Sequence, residues 1–280
     1  MTGRTCVVTG ANTGIGRVTA AELARAGARV VLACRSEEKT RPVIDAIRTE
    51  TGNNEVEFLA LDLANLAAVR RSAAELIERG YPIDVLINNA GLAGQRGLTA
   101  DGLELTFGVN HVGHFLFTTL LLDTLKASAP ARIVNVSSRA HERARRIDWD
   151  AVLQPTASII GLREYGQSKL ANVLFTRELA RRLEGTGVTA YALHPGVIAS
   201  DIWRRIPWPV RPLMMAFMVT TEEGARTTLY CATARELADV SGRYYADCEE
   251  KPPNPLALDT ALSAELWDRT EALCERLSPA

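Results

Sequence analysis

Between an apolar β-rich run, TCVVTG, and a segment of helical spacing, IGRVTAAELARAG, the chain turns through TGANTGIG, Thr9 to Gly16, with glycines at 10, 14 and 16. Glycine permits the tight turn and brings backbone N–H groups close to whatever lies at the helix N-terminus, where the helix dipole favours negative charge. Such a turn also serves purely structural ends, so its weight comes from its setting. At the head of an alternating strand–helix series it reads as a cradle for the diphosphate of a dinucleotide. The expected contacts are then Gly10, Asn12, Thr13, Gly14, Ile15 and Gly16.

That series runs on through the chain. Strand-like ARVVLACR, a polar helix over Glu37–Thr51, strand-like EVEFLALD, helical NLAAVRRSAAELIERG and strand-like IDVLINNAG follow in turn. GLELTFGVNHVGHFLFTTLLLDTLKAS reads as one long buried helix, ARIVNVSS as a fifth strand, YGQSKLANVLFTRELARRLEG as a helix and VTAYALHPG as a sixth strand. A helix near Glu222–Leu237 and a short GRYYAD strand complete it. Strands separated by helices cannot pair as hairpins, which predicts an α/β fold, a doubly wound parallel sheet with helices on both faces. No repeat or linker interrupts the pattern, so a single domain over residues 1–280 is expected. Residues 139–163 and 197–221 read as long loops, which in a compact domain usually carry function.

Composition excludes more than it assigns. With 280 residues, 47% of them hydrophobic, the chain has material for a large core. Its 32 basic and 33 acidic side chains leave no electrostatic footprint for nucleic acid or a strongly anionic membrane. Five scattered cysteines without a C-x-x-C fit a reducing compartment and no zinc site. The most apolar later stretch, Ile206–Val219, holds three prolines and Arg211 and is too short for a bilayer core of about 30 Å. The first apolar run leads straight into the glycine turn, so neither a leader nor an anchor is expected, and the sequence predicts a soluble, cytoplasmic protein.

The second strand bears on the choice of dinucleotide. Where NAD-binding folds usually offer a carboxylate to the ribose hydroxyls, this strand ends in LACRS and offers Arg35. A guanidinium fork matches a 2′-phosphate, which predicts NADP(H) over NAD(H). Arg17 and Lys39 stand near enough in sequence to add positive charge. Further on, YGQSK sets Tyr165 and Lys169 one helical turn apart on a common face. A phenol, with an ordinary pKa of about 10, is a poor acid near neutrality unless its anion is stabilised. An ammonium one turn away would do that, yet the spacing alone is common on ordinary helices.

Taken in order, TGANTGIG, NNAG (Asn88–Gly91), VSS (Val136–Ser138), YGQSK and HPG (His194–Gly196) resemble the motifs of the short-chain dehydrogenase/reductase family over essentially the whole chain. VNHVGHF, VNVSSRAH, SKLANVLFTRELARRL and ADCEEKPPNP…ELWDRTEAL look like its retinol dehydrogenase-like branch, which includes membrane retinol reductases and soluble bacterial relatives. The resemblance implies a Rossmann-type sheet of seven strands and NADP-linked interconversion of a carbonyl and an alcohol. No N-terminal anchor like that of the membrane members is expected from this sequence.

Position by position, the resemblance makes Tyr165 the catalytic acid or base, Lys169 its partner, Ser138 the residue that polarises the carbonyl, and Asn110 the holder of a proton-relay water. Asp62, with Leu63 beside it, would meet the adenine amino group, and Asn89, Ala90 and Gly91 the adenosine-side ribose. Pro195, Gly196, the Ile198 backbone and the Ser200 hydroxyl would line the nicotinamide carboxamide, with Tyr165 and Lys169 on its ribose. The long step from Ser138 to Tyr165 implies an inserted loop containing RAHERARRIDWD. The chemistry agrees: hydride arriving at a ketone puts negative charge on its oxygen, and two donors aimed there lower the barrier. The expected small-molecule substrate is an apolar, bulky ketone, aldehyde or secondary alcohol of retinoid, lipid or polyketide type, reduced rather than oxidised because cells keep NADP largely reduced. Members of the family commonly form dimers or tetramers, and no stretch here marks an interface.

Other readings carry less. His111 and His114 share a helical face, but no third ligand stands at motif spacing, so no metal is expected. His141 and His194 flank the expected cleft and read as structural rather than as substrate contacts. Arg139, Arg143, Arg145 and Arg146 read as a solvated loop face. WRRIPWPVRPLMMAFMV, within 197–221, reads as a lid over a bulky apolar substrate, against a segment packed on core, subunit or bilayer surface. The rival functions are a non-catalytic NADP sensor or scaffold, which can dispense with Ser138, Tyr165 and Lys169, and a nucleotide-sugar epimerase, which needs more chain in its C-terminal region.

Overall fold

The computed structural model describes residues 1–196 and 220–278, so the expected lid, Ile198 and Ser200 lie outside the described residues. Seven strands line up in parallel: β1 (Thr5–Thr9), β2 (Arg29–Cys34), β3 (Val56–Ala60), β4 (Val85–Asn88), β5 (Ala131–Val136), β6 (Val188–His194) and β7 (Arg243–Ala246). Their order in the sheet is β3-β2-β1-β4-β5-β6-β7. A two-residue β8 (Glu249–Glu250) returns antiparallel on β7 through Asp247 and Cys248, both at positive φ. The expected seven strands thus form the parallel part of an eight-stranded sheet.

Helices cover both faces, as sheets built from crossovers require. On one side α1 (Gly14–Arg25), α2 (Glu37–Thr51) and α9 (Thr221–Thr233) bury Leu23, Ile47 and Cys231 against Tyr191 and Leu193 of β6 and their neighbours. On the other, α3 (Leu66–Glu78), α5 (Gly113–Leu120), α8 (Leu162–Arg182) and α10 (Thr260–Leu277) pack with Ala190 and Ala192 of the same strand. The alternation of β6 between two cores is the two-residue period of a pleated strand.

Three segments depart from the sequence expectation. The long helix expected from GLELTF to LKAS is broken into α4 (Leu105–Phe107), a wide π-turn over Gly108–Val112, α5 and α6 (Leu122–Ala127). The stretch is closely packed: a Cβ on Gly113 would stand 2.6 Å from the Leu63 carbonyl oxygen. The loop 139–163 contains a 3-10 turn, Arg139–Arg143, and the short α7 (Trp149–Val152). The C-terminal α10 was not among the expected elements. It starts at an Asp259 cap that accepts the N–H groups of Ala261 and Leu262, and its Trp267 ring lies 4.9 Å from that of Phe115.

The strand order reverses between β1 and β4, and in open α/β sheets the ligand crevice lies at such a switch point, outside the carboxyl ends of the strands. Among the described residues no helix is long and apolar enough to cross a membrane.

Candidate active site

The glycine turn sits at that reversal point. Gly10 and Gly14 have φ of 65° and 56°, the left-handed region that glycine enters freely. A Cβ on Gly10 would lie 2.9 Å from the Cα and Cβ of Ala90, so the turn after β1 touches the NNAG stretch after β4. Thr9 joins them: its hydroxyl oxygen accepts the N–H groups of Asn89 and Ala90, both at 2.9 Å. The Asn89 side chain donates to the Thr9 carbonyl at 2.8 Å, so its amide is already engaged in holding the turn. Thr13, the N-cap of α1, makes no side-chain cap bond, and the first turn carries no acid. Those first-turn N–H groups are open to an anion, and together with the tight turn they fit a diphosphate.

Arg35 follows β2 directly and is exposed, and no carboxylate pairs with it among the described residues. Arg17 is paired with Glu50 at 2.6 Å, which takes up its charge locally, and Lys39 is exposed on the first turn of α2. Asp62, just beyond β3, accepts the Ala64 N–H at 3.0 Å, and its neighbour Leu63 is buried against Gly113.

The remaining groups converge across the crevice. Tyr165 and Lys169 lie on α8 with both side chains buried, and Lys169 Nζ donates to the Val136 carbonyl at the end of β5 at 2.9 Å. Two residues on, the serines of VSS separate. Ser137 is buried and donates to the Lys169 carbonyl at 2.7 Å, whereas the half-buried Ser138 presents its hydroxyl to the Tyr165 phenol. Gly166 lets this turn approach α8, since a Cβ there would stand 3.0 Å from the Ala140 carbonyl oxygen.

Asn110 occupies the π-turn. Its side chain exchanges both hydrogen bonds with the Leu92 backbone, at 2.7 and 3.0 Å, and donates to Ser168 Oγ at 3.0 Å. A Cβ placed on Gly91 would lie 3.5 Å from both Asn110 Oδ1 and Lys169 Nζ. Asn110, Lys169, Tyr165 and Ser138 therefore surround one end of the crevice, with Gly91 beside them. Pro195 and Gly196, immediately after β6, stand at the same carboxyl edge of the sheet.

Electrostatics modify one expectation. Burial pushes the Tyr165 phenol above its ordinary pKa, and the Ser138 hydroxyl offsets this only in part. Burial also lowers Lys169, to about 8. The ammonium does not pull the phenol down as the one-turn spacing suggests, because its hydrogen bond goes to Val136 and desolvation dominates both groups.

A sequence profile described as short chain dehydrogenase matches residues 4–149. Dehydrogenase/reductase SDR family member 13 of Bos taurus is 49% identical over 280 residues, covering 97% of this chain and 73% of that protein. This chain belongs to the short-chain dehydrogenase/reductase family. Retinol dehydrogenase 13 of Homo sapiens is 46% identical over 287 residues, 99% of this chain and 86% of that protein. A crystal structure of an uncharacterised protein from Mycobacterium paratuberculosis superposes with a TM-score of 0.77 at 36% identity, covering 99% of this chain and 93% of that one. The chain is thus an oxidoreductase with a Rossmann fold of the kind that binds a nicotinamide dinucleotide, and its retinol dehydrogenase-like character extends along nearly its whole length.

In this dehydrogenase/reductase, three residues take parts that the sequence reading does not give them. Thr9 links turn to turn. Val136 acts through its carbonyl, which leaves no side-chain signal. His114, weighed above as a metal ligand, places Nε2 2.9 Å from Thr9 Oγ1 and Nδ1 3.1 Å from the Asn110 carbonyl oxygen. Burial lowers its pKa to about 4, in keeping with a neutral ring whose Nδ1–H donates to the Asn110 carbonyl and whose Nε2 accepts from the Thr9 hydroxyl. His111 turns away, its Nε2 3.1 Å from Thr270 Oγ1 on α10.

Proposed function

We propose that this chain uses NADP(H) to interconvert the carbonyl and alcohol of an apolar, bulky substrate, working as a reductase. Retinoids, lipid-like aldehydes and polyketide-type ketones are the classes that fit. When bound, the nicotinamide supplies the hydride. Tyr165, kept protonated by burial, gives its proton to the substrate oxygen, and Ser138 donates a hydrogen bond to the same atom. Lys169 stabilises the phenolate left behind and holds the nicotinamide ribose, while the Asn110 turn leads the replacement proton in. The observation that carries this reading is the convergence of a phenol, an ammonium and a hydroxyl at the carboxyl edge of the sheet, beside a turn shaped for a diphosphate. NADP is favoured by Arg35, whose exposed guanidinium after β2 would pair with a 2′-phosphate, with no carboxylate between Cys34 and Ser36. The apolar substrate class is supported by relatives that bear the name retinol dehydrogenase.

The test is incubation of the purified protein with NADPH and a panel of retinaldehyde, long-chain aldehydes and aromatic ketones, followed at the nicotinamide absorbance band. Turnover with apolar members of the panel is the expected result. Tight NADPH binding with no turnover on any of them would favour the sensor reading instead.

A further inference from the structure

Ser138 is held from its carbonyl as well as facing the site with its hydroxyl. His141 Nδ1 lies 2.6 Å from the Ser138 carbonyl oxygen. A carbonyl only accepts, so the imidazole proton sits on Nδ1 and Nε2 is left as an acceptor. The backbone N–H of Asn254 donates to that Nε2 at 3.0 Å. The Asn254 side-chain amide then donates back into the same turn, to the carbonyl oxygens of His141 at 2.9 Å, Ala144 at 2.8 Å and Glu142 at 3.3 Å. Its Oδ1 accepts the Leu256 N–H at 2.9 Å.

Every polar group of this clamp is used, and it is dry: His141 is 0% exposed and Asn254 6%. The ring also lies 4.8 Å from that of Tyr244 on β7, and burial lowers its pKa, in keeping with a neutral imidazole. A buried network with all its members satisfied fixes geometry more firmly than the sum of its bonds suggests. What it fixes here is the first turn of the long segment between Ser138 and Tyr165, whose length would otherwise leave the serine poorly located. A donor aimed at a reacting oxygen tolerates little displacement, and a shift of about 1 Å costs on the order of a hundredfold in rate.

We propose that His141 and Asn254 are positioning residues, through which the C-terminal segment locks the Ser138 backbone so that its hydroxyl stays beside the Tyr165 phenol. The proposal rests on the reading of Ser138 as a donor to the substrate oxygen. Neither residue touches the reacting atoms, and the two lie 113 positions apart in the chain.

The test uses the whole protein, NADPH, and the carbonyl that it reduces fastest. His141→Phe keeps a ring of similar size and removes both hydrogen bonds. Asn254→Asp keeps the shape and the Leu256 bond but replaces the amide donors with oxygen. Each should lower kcat by about 10- to 100-fold with NADPH affinity within about twofold of wild type. In a Ser138→Ala background, His141→Phe should cost less than about threefold more, because its effect passes through the serine. Equal losses in both backgrounds would make the clamp merely structural and overturn the proposal, as would loss of NADPH binding in both single variants. A silent His141→Phe beside an impaired Ser138→Ala overturns the proposal alone. Wild-type turnover in Ser138→Ala removes the active-site reading itself.

Discussion

Lys169 Nζ stands 5.7 Å from the centroid of the Tyr165 ring and spends its hydrogen bond on the Val136 carbonyl. The lysine is thus engaged elsewhere, and burial, not the ammonium, sets the phenol's resting state. A protonated phenol is what a reductase needs at the moment hydride arrives. Tyr165→Phe keeps the ring and loses only the acid, so NADPH affinity should stay within about twofold while turnover falls ~100- to 10,000-fold. Fluorescence titration of NADPH and steady-state reduction of the best carbonyl check the two halves separately. An unchanged rate would remove tyrosine from the chemistry.

Arg35 supports the cofactor preference. It is exposed at the end of β2, and a charge-assisted bond to a 2′-phosphate contributes about 1.5–3 kcal/mol. Arg35→Asp removes that bond and presents a carboxylate suited to ribose hydroxyls. The ratio of kcat/KM for NADPH over NADH should fall by at least about tenfold. Kinetics with both cofactors at one carbonyl concentration measure it, and an unmoved ratio would mean that another group reads the phosphate.

Gly16 and Gly14 should respond differently to the same added methyl. At Gly16 a Cβ would stand 2.6 Å from the Gly10 carbonyl oxygen and 2.5 Å from Asn89 Nδ2, so the turn and the NNAG stretch must part. At Gly14 nothing lies within 4 Å, and the cost is confined to a φ of +56°. Gly16→Ala should lose about 1–3 kcal/mol of stability together with most NADPH affinity. Gly14→Ala should lose only about 1–2 kcal/mol. Denaturant melts and cofactor titrations distinguish them, and equal effects would mean that the contact of Gly16 with Gly10 and Asn89 does not hold the cradle closed.

The alternation of strands and helices is legible in the sequence because each apolar run is short and each helix periodic. The glycine turn is legible for a different reason: its spacing is a backbone requirement, and glycine is the residue that meets it. Ser138, Tyr165 and Lys169 are readable by resemblance, whereas what holds them is not. The π-turn at Gly108–Val112 hides inside a run with good helical periodicity, since one extra residue per turn depends on Asn110 reaching the Leu92 backbone. The clamp from His141 to Asn254 joins distant positions through backbone atoms, which no local pattern records. The α10 helix did carry a signal, an aspartate cap before a periodic segment, that a strand-led reading passes over.

His114 connects the turn after β1 to the carbonyl of Asn110, and its tautomer follows from its partners. Thr9 Oγ1 already accepts two backbone N–H groups, so its own proton points to His114 Nε2, and Nδ1 donates to Asn110. A second proton would set Nε2–H against the Thr9 hydroxyl. In the unfolded chain the ring takes that proton near its ordinary 6.5, in the folded protein only near 4. Between those values the unfolded state binds more protons, so the contribution of neutral His114 is complete above 6.5 and is lost as pH falls towards 4. The loss over that window is about 3 kcal/mol at most. His111, His141 and His194 are lowered by burial as well and add to the same acid sensitivity. His114→Gln keeps a donor and an acceptor but cannot titrate, so its melting temperature should fall less between pH 7 and pH 4.5 than that of the wild type. Calorimetry across that range at fixed ionic strength measures the difference. A variant whose acid transition tracks the wild type throughout would place the sensitivity on the other three histidines, leaving the Thr9–His114–Asn110 chain without a part in it.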